Sequence, residues 1–214
     1  MRAMMRTARN LLVAGIVLSL AVSLGSPRAS AALNDGHGAN AVRSLYSTLL
    51  AAMRDGPMLG SRGRYAQIEP VVRRVFDIPL MTRVAVGPKW AGLSAAQRRQ
   101  VTDAFARYIA AVYAERFDSY SGEQLQVTGE RAAPGGAIIT SRIVKSDGDP
   151  VNINYLMRDN GGIWQIADVY LDGTISELAT RRSEFAGILR RSGIEGLIEA
   201  LNNKATALAS AHAS

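Results

Sequence analysis

Asp168 is the side chain in this sequence best placed to do chemistry. It lies in the run Ile163-Trp164-Gln165-Ile166-Ala167-Asp168-Val169-Tyr170-Leu171, where one carboxylate sits among apolar, β-branched and aromatic residues. A carboxylate on an apolar face loses hydration, and its pKa rises unless a cation or several donors hold it. Such a group could act as a general base, with Tyr113 or Tyr155 as partners. The competing reading is a structural acid held by hydrogen bonds, for example to Arg142 on a neighbouring strand. No second interior acid–base partner stands out, so the structural reading is preferred.

Few other catalytic options survive. The chain has no cysteine, which excludes disulfides, thiol chemistry and a lipid-modified N-terminal cysteine. Its two histidines, His37 and His212, both fall in expected flexible ends, which removes histidine-based triads and His-rich metal sites. No metal or cofactor is expected.

The elements that would position Asp168 can be read from turn signals and period. Asn160-Gly161 tolerates the positive φ of a tight hairpin, and Asp172-Gly173 closes the following strand. Four strands are expected at Gln124–Thr128, Ala137–Val144, Val151–Arg158 and Ile163–Leu171, with a further turn at Asp147-Gly148-Asp149-Pro150. If Asp159 faces Gly162, then Met157 opposes Trp164, Tyr155 opposes Ile166, Ile153 opposes Asp168 and Val151 opposes Tyr170. Alternation puts those eight side chains on one face and Asn152, Asn154, Arg158 and Gln165 on the other. The first face, apolar except for Asp168, should meet helices.

Helical periodicity flanks this meander. A first helix is expected over Ala41–Arg54, after a small-residue tail at Ala32–Asn40. A loop at Gly56–Gly63, a helix over Tyr65–Phe76 and a short helix over Ile78–Val86 follow, with Pro79 marking the break. Ser94 and Gln97 form a capping box that opens a helix to about Phe117. Its apolar stripe is Val101, Phe105, Tyr108, Ile109 and Val112. Two last helices are expected at Ser176–Arg191 and Ile194–Ala207, separated by Ser192-Gly193. Helices, an antiparallel meander, then helices make an α+β layout.

The first 31 residues read as a leader. Arg2, Arg6 and Arg9 precede the apolar run Leu11–Leu24, and Ala29-Ser30-Ala31 is a small-residue cleavage site, the three-part pattern of a secretory signal peptide. An uncleaved anchor is the alternative, but the run is short for a bilayer span and ends at Gly25 and Pro27. Residues 1–31 carry four arginines and no acids, so their removal lowers the formal net charge from +7 to +3. The mature chain, Ala32–Ser214, is then one mildly basic domain, and nucleic acid is not an expected partner.

An ordered set of residues then resembles a known family. Phe76-Asp77, Met81, Arg83, Gly87, Trp90 and Leu93 are similar to the spaced signature of the MlaC-type family, exported phospholipid-binding proteins also called toluene-tolerance auxiliary proteins. Trp164, Ile166, Asp168-Val169 and Gly173 resemble that family's late strand. Arg182, Phe185 and the run to Gly193 fit its later helices. The family usually has a serine two residues after the late glycine; here Ile175 stands there and Ser176 follows. The wording Asp168-Val-Tyr-Leu-Asp-Gly-Thr-Ile-Ser176 is closer to the HpnM, hopanoid-associated branch, which leaves phospholipid and hopanoid both open as cargo.

The resemblance implies an NTF2-like fold: a curved antiparallel sheet of about four strands packed on N- and C-terminal helices, with an apolar cavity. It also implies a periplasmic lipid carrier between an inner-membrane lipid transporter complex and an outer-membrane lipoprotein complex. Physical chemistry agrees with such a task. An acyl chain of about fifteen carbons resists leaving a membrane by roughly 12 kcal/mol, at about 0.8 kcal/mol per methylene. A carrier must offer apolar surface of similar quality. From the helices the expected lipid-binding residues are Phe76, Met81, Phe105, Ile109, Val112 and Tyr113. From the hairpin they are Val151, Ile153, Tyr155, Met157, Trp164 and Ile166. Two other functions stay open: an exported enzyme that uses Asp168 on a small hydrophobic substrate, and a cargo-free scaffold that binds proteins through its surface helices.

Overall fold

A computed structural model describes residues 36–145, 148 and 150–210. The leader expected at residues 1–31, positions 147 and 149 of the expected turn and His212 lie outside the described residues. The chain is α+β. Helices α1 (His37–Arg54), α2 (Gly56–Val75), α3 (Ile78–Val86) and α4 (Ala95–Arg116) come first, with a 3-10 turn at Gly87–Gly92. Strands β1 (Gln124–Ala133), β2 (Gly136–Val144), β3 (Pro150–Asn160), β4 (Ile163–Leu171) and β5 (Ile175–Ser176) follow, and α5 (Glu177–Ser210) ends the described chain. The sheet is an antiparallel meander in the order β1-β2-β3-β4-β5.

Most of the helical reading holds, with two corrections. α1 begins at His37, so the residues expected as a tail already pack: Gly38 and Ala39 are buried. The loop expected at Gly56–Gly63 is helical apart from a break at Gly60, which has φ 59° and ψ −176°. Pro57 suits the first turn of a helix. The buried Arg64 guanidinium ties the segment down, bonding Gly56 O and Ser61 Oγ at 3.4 Å and Ala114 O at 3.0 Å. The two expected C-terminal helices form the two arms of α5, broken at Gly193, whose φ of 66° and ψ of −164° are open to glycine and almost no other residue. α4 starts on the capping box: Ser94 Oγ accepts from Gln97 N at 3.2 Å, and Gln97 Oε1 accepts from Ser94 N at 3.0 Å.

The hairpin register differs from the expected one. The two-residue turn is Gly161-Gly162, so Asn160 faces Ile163, Asp159 faces Trp164 and Met157 faces Ile166. Ala167 is then an extra residue: the next pairs are Leu156 with Asp168, Tyr155 with Val169 and Ile153 with Leu171. A bulge of this kind shifts every later side chain to the other face. Val169 and Leu171 therefore replace Asp168 and Tyr170 on the helix-facing side. The fifth strand, Ile175–Ser176, is too short to show a period and was not expected. A second irregularity between Val127 and Gly129 in β1 adds to the curvature.

The helices cover one face of this sheet. Val42, Leu45, Leu49, Ile68, Val72, Val101 and Phe105 join Ile139, Tyr155, Met157 and Ile166 in one core. α2 ends against the free side of β4: Phe76 forms a bridge with Ile166, and Asp77 N donates to Ile166 O at 2.9 Å. Asp77 Oδ1 then caps α3 by accepting from Leu80 N at 3.1 Å. This short connection fixes Phe76 and Met81 beside the sheet.

Candidate functional site: an apolar cavity between sheet and helices

A cavity of about 250 Å³ lies between α4 and the concave side of the sheet. α4 supplies one wall, because Phe105, Tyr108, Ile109, Val112, Tyr113 and Arg116 recur at three- and four-residue spacing. The facing wall comes from Ile143 of β2, from Val151, Ile153 and Tyr155 of β3, and from Val169 and Leu171 of β4. Phe76 and Met81 close one side; Glu177, Leu178 and Arg181 of α5 close another.

Nine of the twelve residues expected at a lipid site line this cavity: Phe76, Met81, Phe105, Ile109, Val112, Tyr113, Val151, Ile153 and Tyr155. Met157, Trp164 and Ile166 do not. They share the helix-facing side, but Gly38 of α1 fills the space in front of two of them. A Cβ on Gly38 would stand 3.3 Å from Met157 Cγ and 3.4 Å from Trp164 Cε3. Ile166 is covered by its bridge to Phe76. The sheet face is thus divided between packed core and cavity wall, a division that alternation alone does not carry.

Sequence reasoning missed Tyr108, Arg116, Phe117, Ile143, Val169, Leu171, Glu177, Leu178 and Arg181 as lining residues. Tyr108 was read as part of the α4 stripe, and Arg116 and Phe117 extend that stripe by one turn. Ile143 pairs with Val151 across β2 and β3, so it follows from register once that is known. Val169 and Leu171 required the bulge at Ala167.

Asp168 lies off the cavity and spends both carboxylate oxygens on structure. Oδ1 accepts from Val169 N at 2.7 Å and from Leu178 N at 3.1 Å; Oδ2 accepts from the Ser176 hydroxyl at 2.6 Å. The acceptor near the start of α5 also meets the positive end of the helix dipole. Arg142 is no partner of Asp168, because its Nε donates to Gln126 Oε1 at 2.8 Å.

Tyr155 of the cavity wall belongs to a directed chain of buried hydroxyls. Ser141 Oγ donates to Ile153 O at 2.5 Å, so the Tyr46 hydroxyl, 2.6 Å away, donates to Ser141. Tyr155 in turn donates to Tyr46 at 3.2 Å. Burial pushes the pKa of Tyr155 well above its ordinary value, with the Tyr46 and Tyr113 phenols adding to the shift. Tyr46 is raised as well, burial outweighing its two hydrogen bonds. These phenols stay neutral at any physiological pH.

The rim is charged. Arg181 donates to Glu177 at 3.2 Å and to Glu184 at 2.9 Å, with its guanidinium 5.5 Å from the Tyr108 ring centre. Burial works to lower the Arg181 pKa, but these carboxylates outweigh it and hold the charge. Among the described residues no cluster of three His, Cys, Asp or Glu side chains is placed to hold a metal ion.

An α+β domain with an apolar chamber bordered by charged side chains has the form of a small-molecule-binding site. Residues 43–203 match the MlaC protein family, and the chain belongs to that family. The fold also matches the phospholipid-binding protein from Ralstonia solanacearum, solved in complex with a phospholipid. That likeness has a TM-score of 0.66 and 22% sequence identity, and covers 80% of this chain and 98% of that chain.

Proposed function

We propose that this protein is a periplasmic carrier that binds a phospholipid in the α4–sheet cavity and moves it between membranes without altering it. The observation that carries the reading is the chamber itself, walled by Phe105, Ile109, Val112, Ile143, Ile153 and Val169 and bordered by charge. Acyl chains favour such a wall, and a polar headgroup favours such a rim. Membership of the MlaC family and the phospholipid-binding neighbour support the same cargo class. A structural role for Asp168 supports a carrier over an enzyme, since exchange between apolar sites requires no base.

A hopanoid is the alternative cargo, favoured by the Asp168–Ser176 wording. The donors and acceptors of cargo in this reading are an inner-membrane lipid transporter complex and an outer-membrane lipoprotein complex, reached after export by the N-terminal leader. At about 250 Å³ the chamber is just below the roughly 300–1,000 Å³ usual for ligand pockets. A two-tailed lipid is larger than this volume, so in this reading the chamber widens on loading or part of the lipid stays outside it.

Organic extraction of the purified mature protein followed by mass spectrometry tests the carrier reading. The expected result is a phospholipid at about one per protein, returned chemically unchanged. A lipid-free protein that also takes up neither labelled phospholipid nor hopanoid would overturn it in favour of a scaffold. A lipid product formed only when Asp168 is intact would favour the enzyme.

A further inference from the structure

The carrier reading leaves one polar group inside the chamber without a task. Tyr113 lies on the α4 wall between two aromatic rings. Phe117 stacks on it at 5.8 Å between centroids, and Phe76 meets it edge-on at 5.6 Å. Its neighbour Tyr155 donates its proton to Tyr46. Tyr108 sits at the charged rim under Arg181 and Lys204. The Tyr113 hydroxyl, by contrast, has no hydrogen-bond partner among the described residues. The sealed side-chain polar atoms that lack a partner there are Gln67 Oε1 and Arg98 Nε. The Tyr113 hydroxyl is not one of them, so it reaches free space, and the free space it lines is the cavity.

We propose that Tyr113 is a specificity-determining donor whose hydroxyl takes the carbonyl oxygen of an ester-linked acyl chain in the cavity. The inference rests on the carrier reading and adds which part of the lipid the protein recognises. A donor that opens onto an apolar chamber gains when a ligand brings it an acceptor. Burial raises the Tyr113 pKa, with the Tyr46 phenol adding to the shift, so the group is a neutral donor rather than a phenolate. Its distance from a cation suits an ester. Tyr113 stands three residues before Arg116, an exposed cation that also lines the cavity, about 4.5 Å away along the helix axis. A lipid with its phosphate at Arg116 places its glycerol esters about one helical turn away, beside Tyr113, and its hydrocarbon against the apolar wall. A hopanoid seated with its polar end at the rim offers Tyr113 only hydrocarbon.

The test compares diacyl phosphatidylethanolamine with its dialkyl ether analogue of the same chain length, each loaded into delipidated mature protein and quantified by native mass spectrometry. The ester lipid is expected to bind roughly five- to tenfold more tightly, the worth of one neutral hydrogen bond. Tyr113→Phe should remove that preference by weakening the ester lipid while leaving the ether lipid unchanged. In the unaltered protein, infrared spectra of carbonyl-labelled lipid should show the ester stretch moved to lower frequency on binding, a readout independent of how well the variant folds. Equal binding of ester and ether lipids, an unshifted carbonyl, or a preference that persists in Tyr113→Phe would overturn the proposal while leaving the carrier reading intact. Binding of neither lipid would remove both.

Discussion

The carboxylate of Asp168 and the hydroxyl of Ser176 meet at 2.6 Å and lock β4 to the start of α5. Ser176 Oγ also accepts from Ala179 N at 2.9 Å, and Asp168 accepts from Leu178 N, so the pair caps the helix jointly. Asp168→Asn keeps the size and an acceptor for the two amides, but loses the charge and turns an amide donor toward the Ser176 hydroxyl, which in the unaltered protein donates to Oδ2. The expected cost is about 1–3 kcal/mol, since a buried charged acceptor serves several donors. Thermal denaturation should show a melting point lower by several degrees. Lipid loading of the folded variant should stay near the unaltered level, and its loss would return Asp168 to the binding site.

Ile153 and Met157 lie four residues apart on the same face of β3, with Tyr155 between them, but have different neighbours. Ile153→Asp puts a charge on the cavity wall, where it suffers a desolvation cost and occupies the path of an acyl chain. Lipid per folded protein should fall severalfold. Met157→Ala instead opens a hole in packed core beside Gly38 and should cost about 2–5 kcal/mol with little change in loading. Circular dichroism must accompany both measurements. Equal loss of lipid in the two variants would show that the cavity extends past Tyr155.

Gly193 separates the two arms of α5 by backbone alone, because a Cβ there would meet nothing within 4 Å. Its φ of 66° and ψ of −164° lie in a region reserved for glycine. Gly193→Ala should therefore destabilise the domain by about 1–3 kcal/mol despite the open space around it. Chemical denaturation measures this directly. An unchanged midpoint would mean that the bend straightens at no cost.

Three buried phenols predict alkaline sensitivity. Burial raises the pKa values of Tyr46, Tyr113 and Tyr155 above the ordinary tyrosine value of about 10. In the unfolded chain these groups lose their protons near pH 10; in the folded chain they hold them to higher pH. Their contribution to stability is complete below about pH 10 and is lost as pH rises through the folded values. Denaturation midpoints should be insensitive to these groups below that pH and drop above it. Tyr113→Phe should flatten the drop in part, and ultraviolet titration should show phenolate appearing together with unfolding.

Period and turn chemistry in the sequence determined the α+β layout, the order of the elements and the apolar stripe of α4. These signals are local: Ser94 and Gln97 make their capping box within three residues, and Phe105, Ile109 and Val112 recur at the spacing of one helix face. The break at Gly193 was legible because glycine marks positive φ. Register was not. The single extra residue Ala167 turns Asp168 away from the chamber and Val169 into it, and β-branched or apolar residues on both sides of it suit either phase. Nor does any local pattern separate a wall from a core. Met157 and Ile153 have the same chemistry and the same alternation, and one is packed while the other faces space only because Gly38, more than a hundred residues earlier, lies against the first. Empty volume is a property of which distant surfaces fail to meet, and that was decided by the tertiary structure.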